Sequence, residues 1–411
     1  MIMTRKYPWL LPLLLSPLGL IVPLSPRSGP LFVLLLGLAG IAHCIRHRPS
    51  FDWLKTPPFY ALAAFLSYLF LTSFWSTVPE RSFEQASRLT LLALFGLAGF
   101  SLVRSLDNTQ KHRVAECLIP AILVGIVTGC IYGLLPYTGG YIRILTDFLG
   151  LSPELSSFGG DNRLHIAKTM LLTNFAFFSV LPRLWNKNRI ATLLAYGSFF
   201  MVCWNSDSQS AIVTCLAGGI AFLALQSSYR HSTKIILAAI VASFIIVIPI
   251  TQSSLMEALK TEVRKTSVGA KVSFDHRLEI YRLFGKISFE KPLFGHGLTA
   301  GVKYNGDVPD TQFQGIYLGY RTPHNVHLQI IFDLGFTGAV LFLMSFIWPV
   351  WSWHRSDNYG QTFAALLVIS LVLAGSLFNF VIWRSWIPGT AILAFYFLSI
   401  NPTKTKLSDF R

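Results

Sequence analysis

Residues 234–250 read KIILAAIVASFIIVIPI, and Lys234 is their only charged residue. A helix rises about 1.5 Å per residue, so roughly 17 to 25 apolar residues can cross the roughly 30 Å hydrocarbon core of a bilayer. A helix is the expected spanning element because it satisfies its own backbone hydrogen bonds where water is absent. The stretch therefore predicts a transmembrane helix, and comparable apolar runs recur along the whole chain.

This recurrence predicts an all-α integral membrane protein with about twelve transmembrane helices. Of the 411 residues, 53% are hydrophobic and 13% are charged, a balance that a water-soluble domain rarely shows. The first run follows Arg5 and Lys6 like a signal peptide but lacks a small-residue cleavage site, so we interpret it as a retained helix. The expected spans are residues 9–25, 31–45, 57–75, 87–104, 116–136, 166–182, 190–203, 211–226, 234–250, 328–351, 360–380 and 386–400.

The distribution of lysine and arginine predicts that both termini lie in the cytoplasm, because short cytoplasmic connections then hold most of the basic residues. Residues 1–250 are expected to form nine spans with an outer segment near 137–165. Residues 251–327 form a large outer loop, and residues 328–411 form the last three spans and a cytoplasmic tail. The short outer connections keep only these arginines: Arg27, Arg81, Arg88 and Arg384.

The net charge of +15 does not indicate nucleic-acid binding here, because the charges lie in short segments between apolar runs, where they set the topology. No Asp-x-Asp pair stands in an expected outer loop, which disfavours a metal-bound nucleotide-sugar mechanism. The cysteines lie in or beside apolar runs without paired spacing, so we expect small core residues. They are Cys44, Cys117, Cys130, Cys203 and Cys215.

The large outer loop contains one predicted amphipathic helix, at residues 276–288. Pro292 is expected to end this helix region, and Gly295 and Gly297 follow it. From residue 301 to residue 322 the chain is polar and aromatic without a period, which favours a loop over the mouth of a cavity.

The junction between this loop and the next apolar run carries the most specific pattern. His324-Asn325 is followed, after nine residues, by Gly335-Phe336-Thr337-Gly338. An imidazole can take a proton near neutral pH, and an asparagine can orient it or cap a helix. The two glycines would let another helix approach closely. The structural alternative is a capping asparagine beside an interfacial histidine.

This pattern resembles the signature of O-antigen ligases, whose superfamily also holds O-antigen polymerases and pilin oligosaccharyltransferases. Residues 273–297 look like the family's outer-loop helix and its proline–glycine turn, with Arg277 at the position of a required arginine. Asn162-Arg163-Leu164 and residues 383–388 resemble further family segments. The chain departs from the family at Gln209, where an arginine is common.

The resemblance implies a fold similar to that of C-type glycosyltransferases and an active site facing the periplasm of a bacterial inner membrane. It also implies transfer of O-antigen polysaccharide from undecaprenyl diphosphate to lipid A-core, without metal or cofactor and with inversion. His324 would act as the general base, and Arg277 would stabilise the diphosphate, since one guanidinium group can donate two parallel hydrogen bonds to phosphate oxygens. The other expected substrate-binding residues are Arg163, Arg384, Arg321, Arg282, His327, Gln209 and Asn325.

Two alternatives stay open at this point. A polymerase of the same superfamily would use the same donor but a carrier-linked acceptor. A lipid or glycan transporter would use the outer arginines as a vestibule, and ionisable residues buried in the membrane would favour it. For each arginine and for His327, anchoring to lipid headgroups or a purely structural role is the competing interpretation.

Overall fold

A computed structural model of the chain describes residues 28–47, 55–134, 163–206, 208–254, 258, 261–262, 274–302, 322–356, 358–375, 383 and 386–400. All regular structure in these ranges is helical. The helices are α1 (Ser28–His47), α2 (Pro57–Thr72), α3 (Pro79–Arg104), α4 (Asn108–Gly133), α5 (Arg163–Lys187), α6 (Arg189–Asn205), α7 (Gln209–Ser227), α8 (Tyr229–Gln252), α9 (Phe274–Ser288), α10 (Val326–Arg355), α11 (Tyr359–Gly375) and α12 (Trp386–Ile400), with a 3₁₀ turn at Ala300–Val302.

Every span expected within the described ranges coincides with one of these helices. Six of them, α1, α3, α4, α7, α8 and α10, are long and apolar enough to cross a bilayer, and α2, α11 and α12 are shorter apolar helices. Within the described residues, this confirms the prediction of an all-α, multi-pass membrane protein. The number of about twelve spans stays a prediction, as does the outer placement of residues 251–327. The expected span at 9–25 lies outside the described residues.

The buried side chains form two cores. The first core joins α1, α3, α4, α5, α6, α7, α11 and α12 with parts of α8 and α10. The second core joins α2, α8, α9 and α10 with residues 298–300 and single residues of α3 and α11, and it includes Trp383. Helix α9 is the predicted amphipathic helix and begins two residues earlier than expected. Its apolar face, which includes Leu278, Leu283 and Phe284, is buried in the second core, and the Phe284 ring meets the Phe332 ring of α10 edge to face at 5.0 Å.

Helix α10 is broken at Gly335, whose φ of 68° and ψ of −174° are not helical. The prediction of one continuous span at residues 328–351 was therefore wrong at this residue. Beyond the break, Phe336 N and Thr337 N donate hydrogen bonds to the carbonyls of Pro292 and Leu293, at 2.8 and 3.1 Å. The chain between α9 and α10 thus enters the break and supplies the acceptors that a continuous helix would supply.

The same segment also satisfies the carbonyls before the break. His296 N and Gly297 N donate to Phe332 O and Asp333 O, both at 2.8 Å. A break in a helix at membrane depth is tolerated where protein satisfies the freed backbone groups, and residues 292–297 do so here. The prediction that a helix approaches Gly335 was therefore wrong, because the turn that contains Leu293 and Gly295 lies there instead.

The two arms of α10 fold back towards each other at the break. The ring centroids of His327 and Phe342 lie 4.4 and 6.0 Å from that of Phe244 on α8. Along one straight helix, positions 327 and 342 would lie about 22 Å apart at about 1.5 Å per residue. The first arm, residues 326–334, is therefore a short separate helix, and all of its residues are buried.

Candidate functional site

Several elements meet at one end of the bundle, where α2 ends and α3 begins. The Thr72 hydroxyl accepts a hydrogen bond from Leu298 N at 3.3 Å, and the Ser76 hydroxyl donates to Leu298 O at 3.1 Å. At the end of α8, Gln252 Nε2 donates to Arg282 O of α9 at 2.9 Å. This end therefore holds α9, residues 292–302 and the break in α10, where sequence analysis expected the site.

His324 lies two residues before α10 and adopts a φ of 49°. Left-handed backbone is uncommon for residues other than glycine, although histidine adopts it more readily than most. Such a conformation costs about 1 to 3 kcal/mol and is concentrated at functional sites. The imidazole is half-buried, so it is neither enclosed in the core nor fully in solvent. These features suit a group that must meet a substrate.

Asn325 caps the first arm of α10. Its side-chain oxygen accepts hydrogen bonds from His327 N at 3.0 Å and Leu328 N at 3.2 Å, and its own φ and ψ of −142° and 121° are extended. A cap of this kind satisfies amide groups that have no partner within the helix. The capping alternative raised from the sequence is therefore confirmed for Asn325, and the cap fixes the start of the helix two residues after His324.

An Asn325→Ala variant is expected to lose about 1 to 2 kcal/mol of unfolding free energy, because two amide groups in a buried position lose their acceptor. Denaturant titration in detergent micelles measures this. Asn188→Ala is the matched control, since Asn188 caps α6 through one bond, to Ala191 N at 3.0 Å, on an exposed turn. Equal losses in the two variants would contradict the expectation.

His327 is buried, with 4% of its surface exposed. Its Nε2 lies 2.8 Å from the Ser243 hydroxyl of α8, and its ring packs against Phe244. The side chain therefore joins α8 to the first arm of α10. This placement favours the structural alternative for His327, and its proposed contact with substrate stays a prediction.

The two arginines of α9 lie on a helix packed against α10. Arg277, in the first turn, and Arg282 are both half-buried. Burial raises the pKa of the Tyr281 hydroxyl, and the nearby guanidinium of Arg277 acts in the opposite direction. A guanidinium close to a buried phenol remains charged and is held near the second core. Packing against α10 brings the helix that carries Arg277 beside the helix that follows His324.

Gln209 and Arg163 begin α7 and α5, respectively. These helices pack side by side, and Asn174 Nδ2 of α5 donates to Ala211 O of α7 at 3.4 Å. Because α6 runs between them, the two helices are parallel and start at the same end. Gln209 is half-buried, whereas the side chain of Arg163 lies outside the described residues, as do Arg321 and Arg384.

Sequence analysis missed Asp333, which lies within α10 with 2% of its surface exposed. Its carboxylate accepts a hydrogen bond of 2.6 Å from Trp383 Nε1 and further bonds from the Gln329 side chain and the backbone of Thr299 and Ala300. Burial of a carboxylate is tolerated when hydrogen bonds satisfy its oxygens. An aspartate inside an apolar run was the signal that could have identified it.

The Asp333 carboxylate joins separate parts of the chain at the break. Trp383 also accepts a hydrogen bond at its carbonyl from Gln85 Nε2 of α3. The residue that precedes Arg384 is therefore held by α10 and by α3 together.

His296 was also not predicted as a candidate residue from the sequence. Its ring stacks on that of Phe332, with ring centroids 4.8 Å apart. Burial lowers the pKa of His296, whose Nε2 lies 3.1 Å from Ile287 O.

Comparison with known proteins finds a family that matches the part of the chain that contains this site. Residues 191–343 match the family model described as O-antigen ligase. A protein of Rickettsia conorii that carries the name "Putative polysaccharide ligase" is 22% identical over 355 residues, which cover 80% of this chain and 81% of that protein. The match at 191–343 includes α9, the break in α10 and six of the candidate residues that the structure describes: Gln209, Arg277, Arg282, His324, Asn325 and His327.

The helical fold identifies a multi-pass membrane protein, and the matched domain supports a function of the ligase or polymerase type. Over residues 191–343 the chain is similar to the O-antigen ligase family, and this match confirms the resemblance predicted from its motifs.

Proposed function

We propose that this chain transfers O-antigen polysaccharide from undecaprenyl diphosphate to lipid A-core at the periplasmic face of a bacterial inner membrane. One observation carries the proposal. In the segment that matches the O-antigen ligase model, a histidine with left-handed backbone precedes a capped, buried half-helix, and the helix bearing Arg277 packs against that half-helix. An imidazole and a guanidinium held this way can serve the two charges that develop in glycosyl transfer from a diphosphate.

The proposed reaction is a direct displacement at the anomeric carbon of the donor. The His324 imidazole removes the proton from the acceptor hydroxyl as its oxygen forms the new bond to that carbon. The bond from the carbon to the diphosphate oxygen breaks, and the diphosphate leaves with the electron pair. Attack opposite to the leaving group inverts the anomeric configuration. Arg277 stabilises the negative charge on the departing diphosphate through paired hydrogen bonds.

Arg277→Ala is expected to lower kcat/KM for the donor about 100-fold or more, because hydrogen bonds to a charged leaving group are lost. Arg277→Lys should recover part of the loss, since lysine keeps the charge but not the paired geometry. The matched control is Lys286→Ala, on the same helix but exposed, which should retain wild-type kinetics. If Arg277→Ala and Lys286→Ala have equal kcat/KM, the role of Arg277 is refuted.

The experiment that tests the proposed function is reconstitution of the purified protein with both lipid substrates. A ligase joins the polysaccharide covalently to lipid A-core, which shifts its migration in gel electrophoresis and releases undecaprenyl diphosphate. Longer carrier-linked chains without modified lipid A-core would instead identify a polymerase. Absence of any covalent product from correctly folded wild-type protein would refute both enzymatic assignments.

Asp333 gives the transporter alternative one specific observation. It is an ionisable residue enclosed in a broken membrane helix, and such residues and breaks occur in transporters. Its carboxylate, however, is engaged by Trp383, Gln329 and two backbone amides, which suits a fixed structural contact. In the same proteoliposomes, movement of the lipid-linked glycan across the bilayer without transfer would support a transporter.

A further inference from the structure

A second feature lies at the other end of the bundle, where α5 ends and α6 begins. A shallow cavity of about 20 Å³ opens between α5, α6 and α7. Its walls include Leu181 and Trp185 of α5, Tyr196 of α6 and Phe222 of α7. The Tyr196 hydroxyl donates a hydrogen bond to Cys215 O at 3.1 Å, so its polar atom is satisfied away from an incoming ligand. The cavity therefore offers apolar and aromatic carbon to whatever occupies it.

The cavity is open towards the membrane rather than enclosed. Leu193 and Leu223, which line its mouth, are 49% and 44% exposed. Both belong to apolar helices, so the surface around them faces hydrocarbon in the bilayer. An acyl chain is the occupant whose chemistry fits this lining, because a sugar would lose its hydrogen bonds to water without gaining others.

The rim of the cavity is basic. The turn 183–189 carries Lys187 and Arg189 beside Arg183, whose guanidinium lies 3.8 Å from the Glu116 carboxylate of α4. The guanidinium carbon of Arg189 lies 5.7 Å from the centre of the Trp185 ring, which itself lines the cavity. A cation beside an apolar cleft between helices is the arrangement that binds acidic lipid headgroups. Stacking on the tryptophan restrains the guanidinium, and Arg189 remains exposed, so its N–H groups are accessible to a phosphate.

We propose that the cleft between α5, α6 and α7 binds one anionic phospholipid, with an acyl chain against Trp185, Tyr196 and Phe222 and its phosphate beside Arg189. The site is distinct from the candidate active site, because α5 and α7 begin at the end that holds Gln209 and finish at the end that holds this cleft. The inference does not depend on the proposed transfer reaction.

Native mass spectrometry of the full-length protein, delipidated in detergent, tests this site. Phosphatidylglycerol and phosphatidylcholine with identical acyl chains are titrated separately. We expect one phosphatidylglycerol to remain bound at concentrations at which phosphatidylcholine dissociates. Arg189→Gln should weaken phosphatidylglycerol binding about fivefold, the effect of one cation near a phosphate at a membrane surface. Leu193→Trp, which fills the mouth with an apolar ring, should weaken the binding of both lipids.

Two control variants separate the cleft from the general lipid shell. Arg104→Gln removes an exposed cation at the end of α3, and Leu91→Trp adds a ring to a lipid-facing position of the same helix, which does not line the cleft. Both should bind phosphatidylglycerol like the wild type. Equal retention of the two lipids, or equal affinities of Arg189→Gln and Arg104→Gln, would overturn the proposal. Elution and thermal unfolding of each variant establish that it is folded.

Discussion

A His324→Gly variant is expected to fold with wild-type stability and to lose glycan transfer almost completely. Glycine adopts a φ of 49° without strain, so the substitution relieves the backbone at this position while it adds entropy to the unfolded chain. The two effects oppose each other, and the net change in unfolding free energy should lie within about 1 kcal/mol. Loss of the general base should lower kcat on the order of 10²- to 10⁴-fold.

Two further substitutions separate the imidazole from the backbone. Asparagine tolerates left-handed backbone but takes no proton at neutral pH, so His324→Asn should be as stable as His324→Gly and equally inactive. His231→Gln, at an exposed position near the start of α8, should retain activity. Transfer rates in proteoliposomes and denaturant titrations measure both properties. A His324→Gly protein that keeps a third of the wild-type kcat would exclude His324 as the base.

Sequence patterns predicted the helices because apolar run length is a local property. Each described helix that was expected as a span was found, and the amphipathic period of residues 276–288 predicted α9. The hydrogen bonds of a helix join residues four apart, so a run of suitable residues is enough to specify it. The capping role of Asn325 was also visible, since asparagine directly before an apolar run is a typical helix start.

The break in α10 was not predicted, because it depends on a partner distant in sequence. Residues 328–351 form one apolar run in which Gly335 reads as a contact point for a neighbouring helix. The partner is instead the segment that contains Leu293 and Gly295, some forty residues earlier in the numbering. Both Gly295 and Gly335 have positive φ, but the sequence alone does not show that they face each other.

The sequence predicted the types of residue in the candidate site better than the buried contacts that hold them in place. His324, Arg277 and Gln209 were chosen from motif positions, and their roles stay predictions. Asp333 and its bond to Trp383 were missed, because the pairing joins residues fifty positions apart. The basic residues at span ends predict topology, but they give no information about a carboxylate inside a span. Buried polar partners of this kind follow from tertiary structure and can be named only after the helices are placed.

Gly335→Ala is expected to prevent correct folding of the end of the bundle that holds α9, or to destabilise the protein by at least about 3 kcal/mol. An added Cβ would lie 2.3 Å from Leu293 O and 2.6 Å from Gly295 N, and neither backbone atom can rotate away as a side chain would. The φ of 68° adds a conformational cost for alanine. Separation of the two segments would leave the amides of Phe336 and Thr337 without acceptors in an apolar surrounding.

The control for this prediction is Gly197→Ala, in the middle of α6. An added Cβ there meets nothing within 4 Å, so alanine should stabilise the helix by about 0.5 to 1 kcal/mol. Yield of monodisperse protein, thermal unfolding and limited proteolysis between residues 288 and 326 would report the difference. The break holds residues 292–297 and Asp333 together, so a Gly335→Ala protein that purifies normally should still expose this segment to protease. Wild-type stability and protection in Gly335→Ala would mean that the backbone contact between Leu293 and Gly335 does not form in the membrane.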